Sequence, residues 1–191
     1  MKDAGVITRY LSPEAAQIRP NIKDPEGWWV GYFGDIQAII CNKNRAATAP
    51  NAWKDFLDPK WKEIFSIDDT RYEWFYALQK IYGPEEASRL ITGFKQNGVV
   101  VRRGSTLRSQ FVAAGEESCA LGVYLGNVHL LLAKGAPVIY SVPEPAIMVP
   151  VINMMPKLPP HPYAAILLYD FILTPEAMGQ YGRANAVGPG R

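Results

Sequence analysis

The sequence has few of the residues that most often carry chemistry. Its 191 residues include two cysteines, Cys41 and Cys119, and two histidines, His129 and His161. Two thiols cannot form a disulfide framework or a four-thiolate metal site, so we expect both cysteines to be buried as small apolar side chains. Neither histidine has a nucleophile or metal partner visible in the sequence, which favours structural or solvated roles.

The chain also lacks an excess of one charge and a long apolar run. It has 20 Lys and Arg against 18 Asp and Glu, for a net charge of +2. A nucleic-acid-binding protein normally concentrates a much larger positive excess on one face, so we set that class aside. The apolar region 130–155 is interrupted by Lys134, Glu144 and several prolines, and the first ten residues do not read as a secretion signal. These features predict a soluble chain without membrane insertion, cytoplasmic if the chain is complete.

Common catalytic motifs are missing as well. The sequence has no G-x-S-x-G elbow, Walker loop, G-x-G-x-x-G, H-E-x-x-H or C-x-x-C. A small hydrolase or isomerase that uses His129 or Asp68 is one alternative, but no paired acid and base can be identified. We therefore expect no catalytic residue, no cofactor and no metal ligand.

What the sequence does contain is an alternation of helices and strands. Four helix starts carry a capping residue followed by proline, at Ser12, Gly83, His161 and Thr174. Short runs rich in β-branched and aromatic residues begin at Trp28, Ile36, Glu63, Val99, Cys119, Pro137 and Ala146. This order predicts an α/β protein with a mostly parallel sheet and helices on both faces. The polar, proline-bearing segment 42–61 is predicted to be a surface crossover.

Two of the predicted helices have apolar residues at helical spacing. The helix after Asp69 has Trp74, Leu78 and Ile81 on one face. A later helix that starts at a Gly-Ser-Thr sequence has Leu107, Phe111 and Ala114 at similar spacing. We expect each of these faces to pack against the sheet.

The first strand-to-helix junction, in "SIDDTRYEW", is rich in polar residues. Thr70 and Glu73 fit a capping box, in which each side chain bonds a backbone N–H at the helix start. This leaves four residues unexplained at the carboxyl end of a strand, where open α/β sheets bind ligands: Asp68, Asp69, Arg71 and Tyr72. A helix start with an arginine favours an anion, whereas the aspartates favour a cation, an amine or hydroxyl groups, so the charge of a ligand stays open.

Two further junctions have similar chemistry. The segment "RRGSTLRS", 102–109, combines a glycine, hydroxyls and three arginines, and fits either an anion site or a capped helix with a solvated basic edge. Tyr124 and Asn127 follow the strand "CALGVY". A tyrosine there can stack on a ligand, or can simply lie with a wet hydroxyl at the end of a sheet.

The amino-acid sequences of several segments resemble those of a known family. "IKDPEGWWVGYFGD", "APNAWKDFLDPKWKEIFSIDD" and "HPYAAILLYDFILTPEAMGQ" are similar to segments of extracellular solute-binding proteins of ABC importers, in the branch of iron(III)- and polyamine-type receptors. The tryptophan and proline spacing from Trp53 to Trp61 is the most specific part. The resemblance implies a type-2 periplasmic-binding fold that lacks its N-terminal part. It divides the chain into a partial first lobe and hinge strand over 1–42, a second lobe over 43–148, and a return to the first lobe over 149–191.

The resemblance also implies a function and a set of ligand-binding residues. The implied function is binding of a small polar or anionic solute in a cleft between the lobes, without chemical turnover, in the periplasm and in partnership with an importer permease. Iron receptors of this branch have adjacent tyrosines where this chain has Asn127 and Val128, so iron is not implied. The implied ligand-binding residues are Thr70, Arg71, Tyr72, Arg103, Gly104, Ser105, Tyr124 and Asn127 in the second lobe, with Tyr32 and Asp35 on the first-lobe and hinge side.

An incomplete first lobe has a physical consequence. Sheet edges and helix faces that the absent part would cover are left exposed, which predicts self-association, most simply as a homodimer. The alternative from a different class is an orphaned structural or interaction domain that self-associates without binding a ligand.

Overall fold

The computed structural model describes residues 1–185; residues 186–191, the end of the predicted return segment, lie outside the described part. The chain forms two compact units. One consists of Met1–Gly34 and Pro150–Ala184, and the other is built mainly from Asp35–Val149. Within the described residues, no helix is both long enough and apolar enough to cross a membrane.

The secondary structure alternates between helices and short strands. The strands are β1 (Ile7–Thr8), β2 (Val30–Asn42), β3 (Phe65–Ile67), β4 (Val100–Val101), β5 (Cys119–Tyr124), β6 (Val138–Ser141), β7 (Met148–Asn153) and β8 (Met155–Pro156). The α-helices are α1 (Tyr72–Tyr82), α2 (Pro84–Gln96), α3 (Ser105–Ala114), α4 (Leu125–Ala133), α5 (Pro162–Leu173) and α6 (Pro175–Asn185). Short 3₁₀ helices span Pro13–Gln17, Pro20–Ile22, Trp53–Leu57 and Pro59–Trp61.

The helix starts predicted from proline are confirmed. The 3₁₀ helix Pro13–Gln17, together with α2, α5 and α6, begins at the proline that follows the predicted capping position. Two of these caps are made by hydroxyl groups: Ser12 accepts from the Glu14 N–H at 3.2 Å, and Thr174 accepts from the Ala177 N–H at 3.2 Å. Proline fits the first helical position because its missing N–H would have no partner there.

The α/β class is confirmed, but the sheet is mixed rather than mostly parallel. Its strand order is β4-β3-β5-β2-β6, with β7 also paired to β2. β3 is parallel to β4 and to β5, whereas β2 is antiparallel to β5 and to β6. β2 is one continuous strand of 13 residues where the sequence predicted two shorter ones. The parallel pairs are the ones connected through helices, as crossover geometry requires.

The two cysteines form a disulfide bond, which was not predicted. Cys41 on β2 lies directly opposite Cys119 on β5, with the Cα atoms 4.1 Å apart. Both side chains are completely buried, and that part of the prediction is confirmed. The bond depends on the register of two strands 78 residues apart in sequence, which the sequence alone does not show.

The segment 42–61 runs along the surface as predicted, but its aromatic residues enter the core, which the prediction of a surface crossover missed. Trp53 and Phe56 are completely or almost completely buried, and Trp61 is 8% exposed. The Trp53 ring meets Trp74 of α1 edge-on at 5.4 Å. The side-chain amide of Asn97 donates to the Phe56 carbonyl at 2.8 Å, which holds the segment against the end of α2. Each aromatic side chain has a large apolar surface, and its burial is favourable even though its neighbours in sequence are polar.

The predicted packing face is correct for α1 and wrong for α3. Trp74 and Leu78 of α1 are buried in the main core, as expected. On α3, Leu107 is exposed, and the buried face is Ser105, Arg108, Ser109 and Val112. This face also has helical spacing, but its members are mostly polar, so a search for apolar periodicity does not find it.

The first unit has a small core of its own. β1 pairs antiparallel with β8, and α5 packs near the 3₁₀ helix Pro13–Gln17. Tyr10 and Tyr169 meet edge-on at 5.2 Å, and the Tyr10 hydroxyl donates to Asp170 at 2.8 Å. The buried residues of this core are Ile18, Val30, Met155, Tyr169 and Leu173.

Candidate functional site

Asp68, at the carboxyl end of β3, links the first two junctions. One carboxylate oxygen accepts from the Thr70 N–H at 2.9 Å and from the Thr70 hydroxyl at 2.5 Å. The other accepts from the Gly104 N–H at 2.8 Å. The Asp68 side chain is almost fully buried. The carboxylate therefore binds backbone donors from the loops that follow two neighbouring parallel strands.

These donors keep Asp68 ionised. Burial alone raises the pKa of this carboxyl group, but the hydrogen bonds from Thr70 and Gly104, with the nearby charge of Arg108, lower its pKa overall. An ionised Asp68 therefore holds the junction together at neutral pH.

Arg71 extends the arrangement to the third junction. Its Nε lies 3.5 Å from Asp68 Oδ2, and its Nη1 lies 3.3 Å from Glu73 Oε1. Nη1 also donates to the Tyr124 hydroxyl, and the guanidinium carbon lies 4.3 Å from the centre of the Tyr124 ring. The guanidinium is thus bound through both its charge and its planar face.

The predicted capping box is not formed. α1 begins at Tyr72 with no side-chain cap, the Thr70 hydroxyl donates to Asp68, and Glu73 pairs with Arg71. The Thr70 and Glu73 side chains therefore hold the junction together and do not cap the start of α1.

Ser105 joins the second junction to the third. Its hydroxyl oxygen accepts from the Tyr124 N–H at 2.8 Å and from the Asn127 side-chain amide at 2.9 Å. Ser105 is the first residue of α3, while Tyr124 ends β5 and Asn127 lies in the first turn of α4. Val128, the next residue, is completely buried. The three junctions that the sequence predicted separately thus form one connected wall; we call the group Thr70, Arg71, Gly104, Ser105, Tyr124 and Asn127 the junction wall.

Arg108 lies beneath the junction wall and was missed as a member of the site. It is completely buried, and it donates to the carbonyls of Ser66 at 3.2 Å, Leu121 at 2.8 Å and Gly122 at 3.3 Å. Burial lowers the pKa of Arg108 to about 10, with the negative charge of Asp68 opposing that shift, so the group is still charged at neutral pH. The sequence feature that could have identified Arg108 is its position three residues after Ser105, which places both residues on the same face of α3.

Asp35 also lies within electrostatic reach of the junction wall. Burial raises the pKa of this half-buried carboxyl group, and the charge of Arg71 acts in the opposite direction. Two residues further along β2, Gln37 is completely buried and is the cross-strand partner of Tyr124. Burial likewise raises the pKa of the Tyr124 phenol, again opposed by Arg71.

Three of the predicted residues stand apart from this group. Tyr72 is 76% exposed. The exposed side chain of Arg103 pairs with Asp69, with Nε 3.1 Å from Oδ1. Tyr32 belongs to the other compact unit, where it lines a cavity of about 410 Å³ and its ring lies 5.6 Å from that of Tyr181.

Comparison with known proteins identifies the family. The model for "Bacterial extracellular solute-binding protein" matches residues 1–187. The chain belongs to this family. Its members are named as binding proteins for solutes, which agrees with a wall made of polar loop residues.

Solved structures agree with this assignment at the level of the fold. Iron-bound HitA from Pseudomonas aeruginosa is similar to 95% of this chain, with a TM-score of 0.80 and 21% sequence identity. AfuA from Actinobacillus pleuropneumoniae, with fructose-6-phosphate bound, is similar to 96% of it, with a TM-score of 0.83 and 23% identity. The match covers 62% of each of these two proteins, so the chain spans less than two thirds of their length.

Proposed function

We propose that the junction wall binds a small polar or anionic solute, without chemical turnover, as part of the substrate-binding component of an ABC importer. The observation that carries the proposal is the convergence of three strand-to-helix junctions on Tyr124, which contacts Arg71 through its hydroxyl and Ser105 through its backbone N–H. Such junctions are where α/β proteins usually bind ligands. Small solutes also occur in structures of similar fold, since HitA holds iron and AfuA holds fructose-6-phosphate.

In this proposal β2 acts as the hinge strand. β2 runs from one compact unit into the other, and Asp35 and Gln37 lie on the part that belongs to the unit with the junction wall. A solute that binds the closed form better than the open form shifts the equilibrium toward closure, and the permease would recognise the closed form.

A periplasmic location is part of the same proposal. The family is described as extracellular, and the Cys41–Cys119 disulfide is of a kind that forms and persists in oxidising compartments.

Thermal unfolding with a panel of solutes tests the proposal. A solute in hundredfold excess over its Kd stabilises the folded chain by about 2.7 kcal/mol, which should raise the Tm by about 5 °C or more. We expect Arg71→Ala to lose this shift and Arg89→Ala, at an exposed site on α2, to keep it. If anions, sugars, amines and metal chelates all leave the Tm of the unmodified chain unchanged, the proposed function is wrong.

We also propose that the chain self-associates, a property that fits both a solute-binding module and the alternative of an interaction domain. The support is an exposed apolar stripe on α5: Tyr163, Leu167 and Phe171 follow one another at four-residue spacing and are 82%, 71% and 51% exposed. Exposed apolar groups at helical spacing are typical of a surface that packs against another protein.

A further inference from the structure

An anion of the chain itself, the Asp68 carboxylate, is already bound to the junction wall. The backbone N–H groups of Thr70 and Gly104, which a bound anion would use at such a junction, donate to the Asp68 carboxylate at 2.9 and 2.8 Å. Helix starts and the loops before them bind anions through donors of this kind. Here Asp68 occupies that position, so a ligand anion would have to displace an almost fully buried carboxylate.

The arginines around the wall already have partners within the chain. Four arginines lie at or beneath the three junctions, and each has partners within the chain. Arg71 pairs with Asp68 and Glu73, Arg102 with Glu117, and Arg103 with Asp69, while Arg108 donates to three carbonyls beside Asp68. An arginine that is already paired has less attraction left for a ligand anion, because its charge is compensated before the ligand arrives.

The carboxylate that is left over is Asp35. Among the described residues, the side chain of Asp35 makes no hydrogen bond and no ion pair, although the charge of Arg71 acts on it from nearby. The four arginines therefore face five carboxylates, those of Asp68, Asp69, Glu73, Glu117 and Asp35. A half-buried carboxylate without a protein donor can accept from the donors of a ligand.

Gln37 gives an independent reason to expect a ligand at this position. It is completely buried, and within residues 1–185 neither its Nε2 nor its Oε1 has a hydrogen-bond partner. Asp35 and Gln37 are two residues apart on β2, so their side chains lie on the same face of the strand. Gln37 is also the cross-strand partner of Tyr124, a member of the wall. Buried amides are normally hydrogen-bonded, which indicates that a partner is missing here.

We propose that the junction wall takes a solute that presents hydrogen-bond donors, an amine or a group of hydroxyls, to Asp35, and not an anionic group. This inference rests on the proposed solute-binding function and narrows its ligand class. Asp35 accepts from the solute, with the Gln37 amide alongside it, while Arg71 and Asp68 hold the wall in place.

The test compares three classes of probe by thermal shift and isothermal titration calorimetry on the full chain. The amines are methylamine, putrescine and cadaverine; the neutral polyols are glucose, fructose and myo-inositol; the anions are phosphate, sulfate and oxalate. We expect an amine or a polyol to bind. The class that binds shows whether the hydrogen-bond donors of the solute are amine or hydroxyl groups. Asp35→Asn should then raise the Kd roughly 10- to 100-fold, because a hydrogen bond to a charged acceptor is lost.

Asp69→Asn is the matched control, since Asp69 is an exposed carboxylate that pairs with Arg103 outside the wall. It should leave the Kd unchanged, and the Tm of each variant without a probe shows that it has folded. Binding confined to the anions would overturn this inference and leave the proposed function standing. No binding by any class would overturn both, and an unchanged Kd in Asp35→Asn would overturn the role of Asp35.

Discussion

A buried arginine is tolerated in a protein when its donors are satisfied and its charge is balanced. Arg108 meets these conditions largely but not fully: both of its Nη groups donate to carbonyls, whereas its Nε has no hydrogen-bond partner among the described residues. Three carbonyls from within β3 and β5 accept from it, and Asp68 provides the nearby negative charge. The guanidinium thereby ties together the two strands whose ends carry the first and third junctions. Its role is to position the junction wall from below, since it is completely buried.

Replacing Arg108 tests this role directly. Arg108→Met should lower the free energy of unfolding by about 2–5 kcal/mol, because buried carbonyls lose their donors and Asp68 loses a balancing charge. Arg108→Lys should lose less, since it keeps the charge but not the planar set of donors. Urea unfolding measures both. Arg89→Met, at a side chain that is 74% exposed, is the control and should change stability by less than about 0.5 kcal/mol. A stable Arg108→Met variant would contradict the role.

At the scale of elements, two strands are fixed to each other covalently. The Cys41–Cys119 disulfide connects β2, which runs through both units, to β5, which ends at Tyr124. A bond that closes a loop this long restricts the unfolded chain and is expected to stabilise the fold by about 4 kcal/mol.

Reduction under denaturing conditions provides the measurement. The urea midpoint of the unmodified chain should fall when a reductant is added, whereas the midpoint of Cys41→Ala/Cys119→Ala should not respond to the reductant. The double variant should itself resemble the reduced chain. Reaction of the denatured, unreduced chain with a thiol reagent gives a second readout: two free thiols would show that the bond does not form.

The elements that could be predicted from the sequence are those with a local cause. Proline at the first helical position located α2, α5 and α6 because its fixed backbone angle and missing N–H act within one turn. The three junctions were also found, since each is a local change from a strand pattern to a helix pattern. The register that brings Cys41 opposite Cys119 depends on residues far apart in sequence, and no local pattern contains it.

The candidate site was predictable in its parts but not in its connections. Thr70 and Glu73 fit a capping box in sequence, but in the structure the Thr70 hydroxyl donates to Asp68 and Glu73 pairs with Arg71. The burial of Arg108 could not be predicted for a related reason. A polar helix face can be buried when carbonyls of neighbouring strands accept hydrogen bonds from it, and the sequence does not show those carbonyls. Trp53 and Phe56 were likewise assigned to the surface because the residues around them are polar.

At the scale of the whole molecule, α5 presents several large apolar side chains at the surface. Tyr163, Leu167 and Phe171 form the exposed stripe, with Leu168 59% exposed beside it. A fully buried leucine contributes roughly 1.5–3 kcal/mol relative to an exposed one, so covering this stripe by a second copy is favourable. In a symmetric dimer the same stripe would contribute from both copies, and a single substitution would therefore count twice.

Sedimentation or light scattering at micromolar concentrations should accordingly detect a species heavier than the 21.2 kDa monomer. Leu167→Glu places a charge in the centre of the stripe and should shift the chain to the monomer without unfolding it, because the side chain is exposed in the isolated chain. Tyr76→Glu, at an exposed aromatic residue of α1 in the other unit, is the matched control and should keep the heavier species. A monomer at every concentration, or the same loss of mass in both variants, would show that the α5 stripe does not mediate association.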